Sequence, residues 1–286
     1  MPRLQYAVHA YAWTNRWTAK DESLIDHSKE LGFDVIEIPL MDLDEIHPAS
    51  IRARLSKNEL GVVTSTALPL DADITSDDPA IRESGLAYLK ACIDRTSDMG
   101  GKVFTGVIYS AIGRKIDGFP TEAHYTWAAE ALAKAARHGA KAGVTLGIEP
   151  VNRYETFLVN TAQQALDLKR RAGEANIAVH LDAYHMNIEE NGFYEPVRAA
   201  APELCHFHMS ESHRGTPGTG TVDWQAIYRG LHDGGYTGLV GLESFIEVAD
   251  SMRAATCVWR KMAPSSDELL TRGLAFLKAM EKKVFE

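Results

Sequence analysis

Four residues able to bind a metal or move a proton stand at the ends of four successive apolar runs. Glu149 closes "VTLGIEP" (144–150), Asp182 "IAVHLDA" (177–183), His208 "LCHFHMS" (204–210) and Glu243 "GLVGLES" (238–244). They are separated by 33, 26 and 35 residues, about one strand–helix unit each. A carboxylate at the end of a buried strand loses its hydration and needs a partner. Three carboxylates brought to one point also raise one another's pKa. A divalent cation resolves both conflicts. Oxygen-rich ligation with one imidazole suits manganese or magnesium, with cobalt as an alternative, better than a thiolate-type zinc site. "CHFH" has the look of a zinc ligand run, but the chain has no second Cys-His group. Any one of the four acids or imidazoles alone is more often a salt-bridge partner or a helix cap. Four at consecutive strand ends call for a common cause.

Further polar residues gather around these four. His185 lies three residues beyond Asp182, within reach of a ligand held by the metal. Arg214, in the Gly-rich "SESHRGTPGTG", has the donor fork for sugar hydroxyls or a phosphate. Glu155, in "NRYE", is expected to turn toward the same pocket, and Tyr11, Trp13 and Trp17 are candidates for its wall. Glu37 ends no run, because Ile38 follows it, and reads as an internal barrel charge paired with a neighbouring strand. Glu189 and Glu190 read as acids that face solvent or cap the next helix.

The elements that must position these groups alternate along the chain. Eight strand-like runs span 4–13, 33–40, 61–68, 102–109, 144–150, 177–183, 204–210 and 238–244. Amphipathic stretches separate them. Two of these end in Gly, and the last opens with Ser265 and Glu268 at capping-box spacing. Eight strands alternating with about eight helices, with no linker or low-complexity break, predict one closed (β/α)₈ barrel over residues 1–286. A doubly wound open sheet is the alternative, but "AYAWTNRW" lacks the Gly-rich turn such a sheet carries after its first strand. The formal charge of −9 argues against a nucleic-acid partner. Cys92, Cys205 and Cys257 show no paired spacing, "MPRLQYAVHAYAW" lacks the parts of a secretory leader, and no apolar run approaches a membrane span. A cytoplasmic location is the expectation.

The segments "EPVNRYE", "HLDAYHMNIEE" and "HMSESHRGTPGTG", followed by "GLES", resemble the ketose 3-epimerases of the xylose-isomerase-like barrel superfamily. These include the D-tagatose, D-allulose (psicose) and L-ribulose 3-epimerases, and the likeness runs over essentially the whole chain. The resemblance implies a divalent metal on Glu149, Asp182, His208 and Glu243, with Glu149 and Glu243 doubling as the acid/base pair. It also implies Glu155, His185 and Arg214 as contacts to a free ketose near carbons 1 to 3, and a homodimer or homotetramer, with the late helices near Trp259 as the contact. One departure is visible. Ala183 stands where the family usually has Thr or Ser, which puts a hydrogen bond beside Asp182 in doubt.

The implied chemistry needs these residues. Inverting carbon 3 requires a proton to leave one face of a planar enediolate and return on the other, which two opposed carboxylates can do and one cannot. Alternatives are an aldose–ketose isomerase of the hydroxypyruvate or rhamnose isomerase type, a sugar-phosphate enzyme, a barrel nuclease and a non-catalytic sugar- or metal-binding barrel.

Overall fold

A computed structural model describes residues 4–286; Met1, Pro2 and Arg3, where the segment read for a leader begins, lie outside the described residues. The strands are β1 (Gln5–His9), β2 (Val35–Pro39), β3 (Gly61–Leu68), β4 (Val103–Ala111), β5 (Thr145–Ile148), β6 (Ile177–Asp182), β7 (Leu204–His208) and β8 (Leu239–Leu242). All pair in parallel in chain order, and β1 closes on β8 through Gln5↔Leu239 to Val8↔Leu242. The helices are α1 (Ser23–Glu30), α2 (Pro48–Asn58), α3 (Pro79–Asp98), α4 (Glu122–Ala142), α5 (Ala162–Ala172), α6 (Ala183–Glu189), α7 (Tyr194–Ala200), α8 (Trp224–Asp233), α9 (Asp250–Thr256) and α10 (Ser266–Phe285). The fold is the (β/α)₈ barrel, and the open doubly wound sheet is excluded by the closure.

Strands buried on both faces explain the near-continuous apolar runs, since one face meets the barrel interior and the other the helices. Every residue of β2 and β8 is buried. In α4 the buried Ala128, Leu132, Ala135, Ala136 and Gly139 recur at three- and four-residue spacing, and the helix stops where Gly143 takes the left-handed conformation, φ 69°. Ser265 caps α10 by accepting the N–H of Glu268 at 3.2 Å. The reciprocal half of the expected capping box is absent, because the Glu268 carboxylate instead accepts from Arg272.

The first run stops earlier than its apolar character suggests. β1 ends at His9, whose Nδ1 accepts the N–H of Tyr11 at 3.0 Å and turns the chain into a 3₁₀ segment. This leaves His9 at the end of its strand.

One layer inside the barrel supports everything above it. Two residues before each of the four predicted ligands, on the same strand face, lie Gly147, His180, His206 and Gly241. A β-carbon at Gly147 would lie 2.5 Å from Thr105 Oγ1, and one at Gly241 would lie 2.9 Å from His206 Cε1. Gly241 therefore makes room for the His206 ring, and Gly147 for the Thr105 hydroxyl that meets His180 Nδ1 at 2.9 Å.

Candidate active site

The strand ends deliver the four groups at one level. Asp182 and His208 are the last residues of β6 and β7 and are register partners; Glu149 and Glu243 follow directly on β5 and β8. Glu149 is fixed by its own backbone N–H, which donates to Gly106 O at 3.1 Å. His208 Nδ1 is buried and has no hydrogen-bond partner, yet three carboxylates surround it. Asp182 Oδ2 lies at 3.6 Å, Glu243 Oε2 at 3.7 Å and Glu149 Oε1 at 3.8 Å.

These separations are too long for hydrogen bonds. They do fit ligand atoms that share an ion with bonds of about 2.0–2.2 Å, which places neighbouring ligands about 3–4 Å apart. Glu149, Asp182 and His208 offer atoms all within 4.8 Å of one another, a set capable of holding a metal; Glu243 lies outside that set, although its Oε2 is 3.7 Å from His208 Nδ1. Arg214 Nη1 donates to Asp182 Oδ2 at 2.8 Å and to Glu243 Oε2 at 2.7 Å, so a guanidinium already neutralises part of the acidic cluster. Arg214 itself has φ 61°, an unusual backbone conformation for a non-glycine residue.

The environments push these groups apart in acidity. Burial raises the Glu149 carboxyl well above the ordinary carboxylate range, and the negative neighbours Glu243 and Asp182 add to it, against the pull of His208. Burial acts the same way on Asp182, but Arg214 and His208 overcome it and hold Asp182 ionised. Burial opposes a charge on His208, yet Glu37 and Glu243 raise its pKa well above the usual imidazole value.

Glu149, His208 and Glu243 open onto a cavity of about 240 Å³. His9, Glu155, His185 and Arg214 share its polar lining, and Tyr11, Val107, Ile112, Phe245 and Met252 supply apolar walls. His185 is oriented by Asn152, whose backbone N–H and side-chain amide both donate to Nδ1, at 3.1 and 2.9 Å. The same amide donates to Glu155 Oε1 at 2.8 Å, so one asparagine positions two residues of the lining.

All seven residues singled out from the sequence line this cavity or, in the case of Asp182, lie immediately beneath it. The other expectations divide. Tyr11 is a wall, whereas Trp13 donates its indole N–H to Asp267 at 2.8 Å and Trp17 is buried in the core, because β1 ends before either. Glu189 does not face solvent. Its side chain is 6% exposed and clamps Arg153 through the backbone N–H, Nε and Nη2. Glu190 accepts the N–H of Ala162, the first residue of α5, which is the preceding helix rather than the next one. Glu37 is an internal barrel charge as expected, meeting His206 and His208 across the interior and His9 on the adjacent strand. Asp182 gains a hydroxyl donor without one at position 183, from Ser210 Oγ at 3.2 Å.

His9 and His180 carry no role in the sequence reading. For His180 a signal existed, since it lies two residues before Asp182 and so faces the same way, as the buried His206 does before His208.

The model of the xylose isomerase-like TIM barrel family matches residues 25–280. The chain is 37% identical over 279 residues to the L-ribulose 3-epimerase of Methylomonas sp. (strain DH-1), covering 96% of this chain and 97% of that protein. It is 33% identical over 278 residues to the ketose 3-epimerase of Arthrobacter globiformis, covering 96% of both. Among solved structures, that of the D-allulose 3-epimerase from Methylomonas sp. in complex with D-allulose matches with a TM-score of 0.92 at 36% identity, over 98% of each chain.

Proposed function

From a chain that belongs to the xylose isomerase-like TIM-barrel family, and within it to the ketose 3-epimerases, we propose an enzyme that inverts carbon 3 of a free ketose. D-Fructose/D-allulose, D-tagatose/D-sorbose and L-ribulose/L-xylulose are the candidate pairs. The observation that carries the reading is the unsatisfied His208 Nδ1, ringed by oxygens of three carboxylates on the floor of a sugar-sized cavity.

Glu149, Asp182, His208 and Glu243 are the proposed metal ligands. Manganese suits this donor set, with cobalt or magnesium as alternatives. When bound, the cation supplies electrostatic stabilisation for the negative charge that develops as the carbon-3 proton leaves. Glu149 and Glu243 act as the acid/base pair, one taking the proton and the other returning it on the opposite face. His185, Glu155 and Arg214 hold the sugar near carbons 1 to 3. The double donation from Asn152 makes His185 Nδ1 an acceptor and places the ring hydrogen on Nε2, which lies 3.4 Å from Arg214 Nη2.

A free sugar is favoured over a sugar phosphate because Arg214 is the one Lys or Arg among the described lining residues, and it already serves two carboxylates. All three cysteines are free thiols, which suits a cytoplasmic enzyme, and no helix among the described residues is long and apolar enough to cross a membrane. A homodimer or homotetramer is proposed, with the exposed Trp259 in the contact.

The deciding experiment is turnover in heavy water. Incubation with D-fructose, D-tagatose or D-allulose is expected to place deuterium at carbon 3 and to yield the carbon-3 epimer. Deuterium at carbon 1 with an aldose product would instead establish an aldose–ketose isomerase. Tight sugar binding with exchange at no carbon would establish a non-catalytic module.

A further inference from the structure

Glu37 lies at the middle of β2, fully buried, and is not part of the cavity wall, so it touches no bound sugar. Its Oε2 lies 2.7 Å from His208 Nε2 and 2.9 Å from His206 Nε2. Its Oε1 has no hydrogen-bond partner and lies 3.5 Å from His9 Nε2. We infer that Glu37 is a positioning residue that fixes the tautomer of His208 and thereby turns Nδ1 into a metal ligand. The inference rests on the metal reading given above.

An ionised carboxylate only accepts hydrogen bonds, so both Nε2 atoms at Oε2 must carry hydrogen. Two ring nitrogens within 2.9 Å of one carboxylate oxygen are the arrangement of a single acceptor shared by two N–H donors. With the hydrogen of neutral His208 on Nε2, the lone pair is on Nδ1, the atom left unpartnered among the three carboxylates. The opposite tautomer would set a lone pair against an anionic oxygen at 2.7 Å and turn an N–H toward the ion's place.

His206 is the second anchor. Its Nε2 is closer to Glu37, at 2.9 Å, than its Nδ1 is to Leu239 O, at 3.4 Å, so it too donates to the carboxylate and holds Oε2 in place. A carboxylate behind a ligating imidazole also raises its basicity, and losing such a partner typically costs about 10–100-fold in metal affinity.

Two measurements test this. In protein carrying ¹⁵N-labelled histidine and loaded with Mg²⁺, which is diamagnetic, His208 should show a protonated Nε2 and an unprotonated Nδ1. Titration calorimetry with Mn²⁺ should show Glu37→Gln binding about 10–100-fold more weakly than the unaltered protein. A proton on Nδ1 of the loaded protein overturns the inference, and so does a Glu37→Gln variant of unchanged affinity. If Glu37→Gln does not fold, the NMR measurement on the unaltered chain decides alone. An unaltered protein that binds neither Mn²⁺ nor Mg²⁺ fails the metal reading itself, a different result from a variant that binds as well as its parent.

Discussion

Replacing Arg214 with Met should separate two roles that the structure gives one side chain. Arg214 Nη1 is the positive partner of Asp182 at 2.8 Å and of Glu243 at 2.7 Å, and its own side chain is 9% exposed. Methionine keeps much of the bulk that packs over Tyr184 and Phe245, so the main loss is electrostatic. Removing one member of a buried ion pair costs about 3–5 kcal/mol. Unfolding entropy of about 2.1 cal/mol/K per residue gives roughly 0.6 kcal/mol/K for a chain of 286 residues. The metal-free variant should therefore melt about 5–8 °C below the parent, and protonation of one freed carboxylate would bring it toward the smaller value.

The second half of the prediction concerns the ion. A divalent cation at about 100 times its Kd returns about 2.7 kcal/mol, or about 4–5 °C here. The variant should gain more than the parent at the same ion concentration, because the departed guanidinium no longer competes for Asp182 and Glu243. Scanning calorimetry of chelator-treated protein with and without Mn²⁺ measures both quantities, and turnover should fall although metal binding improves. A metal-free variant melting within about 1 °C of the parent, or a smaller gain from Mn²⁺, would show that Arg214 does not neutralise these carboxylates.

Other outcomes follow from the same geometry. Glu243→Gln should fold and bind sugar but lose on the order of 10²–10⁴-fold in turnover, the usual worth of one acid/base group; a near-normal rate would remove Glu243 from that role. Metal affinity should rise with pH. Glu149 and His208 both have raised pKa values in the metal-free fold, so each holds a proton that the ion must displace, whereas Asp182 is already ionised. Raising the pH removes those protons in advance, strengthening binding by up to about tenfold per pH unit for each proton displaced. Calorimetry between about pH 6 and about pH 8 checks this, and a flat profile would mean that neither group titrates with binding.

Much of the architecture was legible in the sequence because barrel strands are buried on both sides and write themselves as apolar runs. β3, the run 61–68, matches residue for residue, and β6 and β7 differ from their runs only at the C-terminal end. The first run failed at its end. "AYAW" is as apolar as a strand, but a single hydrogen bond from Tyr11 N–H to His9 Nδ1 turns it aside. Hydrophobicity records burial and is silent about such a bond, so it does not show that the Trp13 and Trp17 rings lie away from the pocket while Tyr11 lines it. Glu189 failed for a related reason, since its partner Arg153 lies 36 residues away on another loop.

By itself the sequence determined the barrel and the four groups at its strand ends, because both are periodic properties of one chain. Strand length sets where a run stops, and a two-residue period sets which side chains face inward. Only the tertiary structure decided which inward groups meet. Glu37 on the second strand and His206 and His208 on the seventh touch across the barrel at 2.7–2.9 Å, although about 170 residues separate them along the chain. No local pattern encodes such a meeting. It follows from the closure of β1 on β8, which curves the sheet until staves far apart in sequence face each other over one small interior.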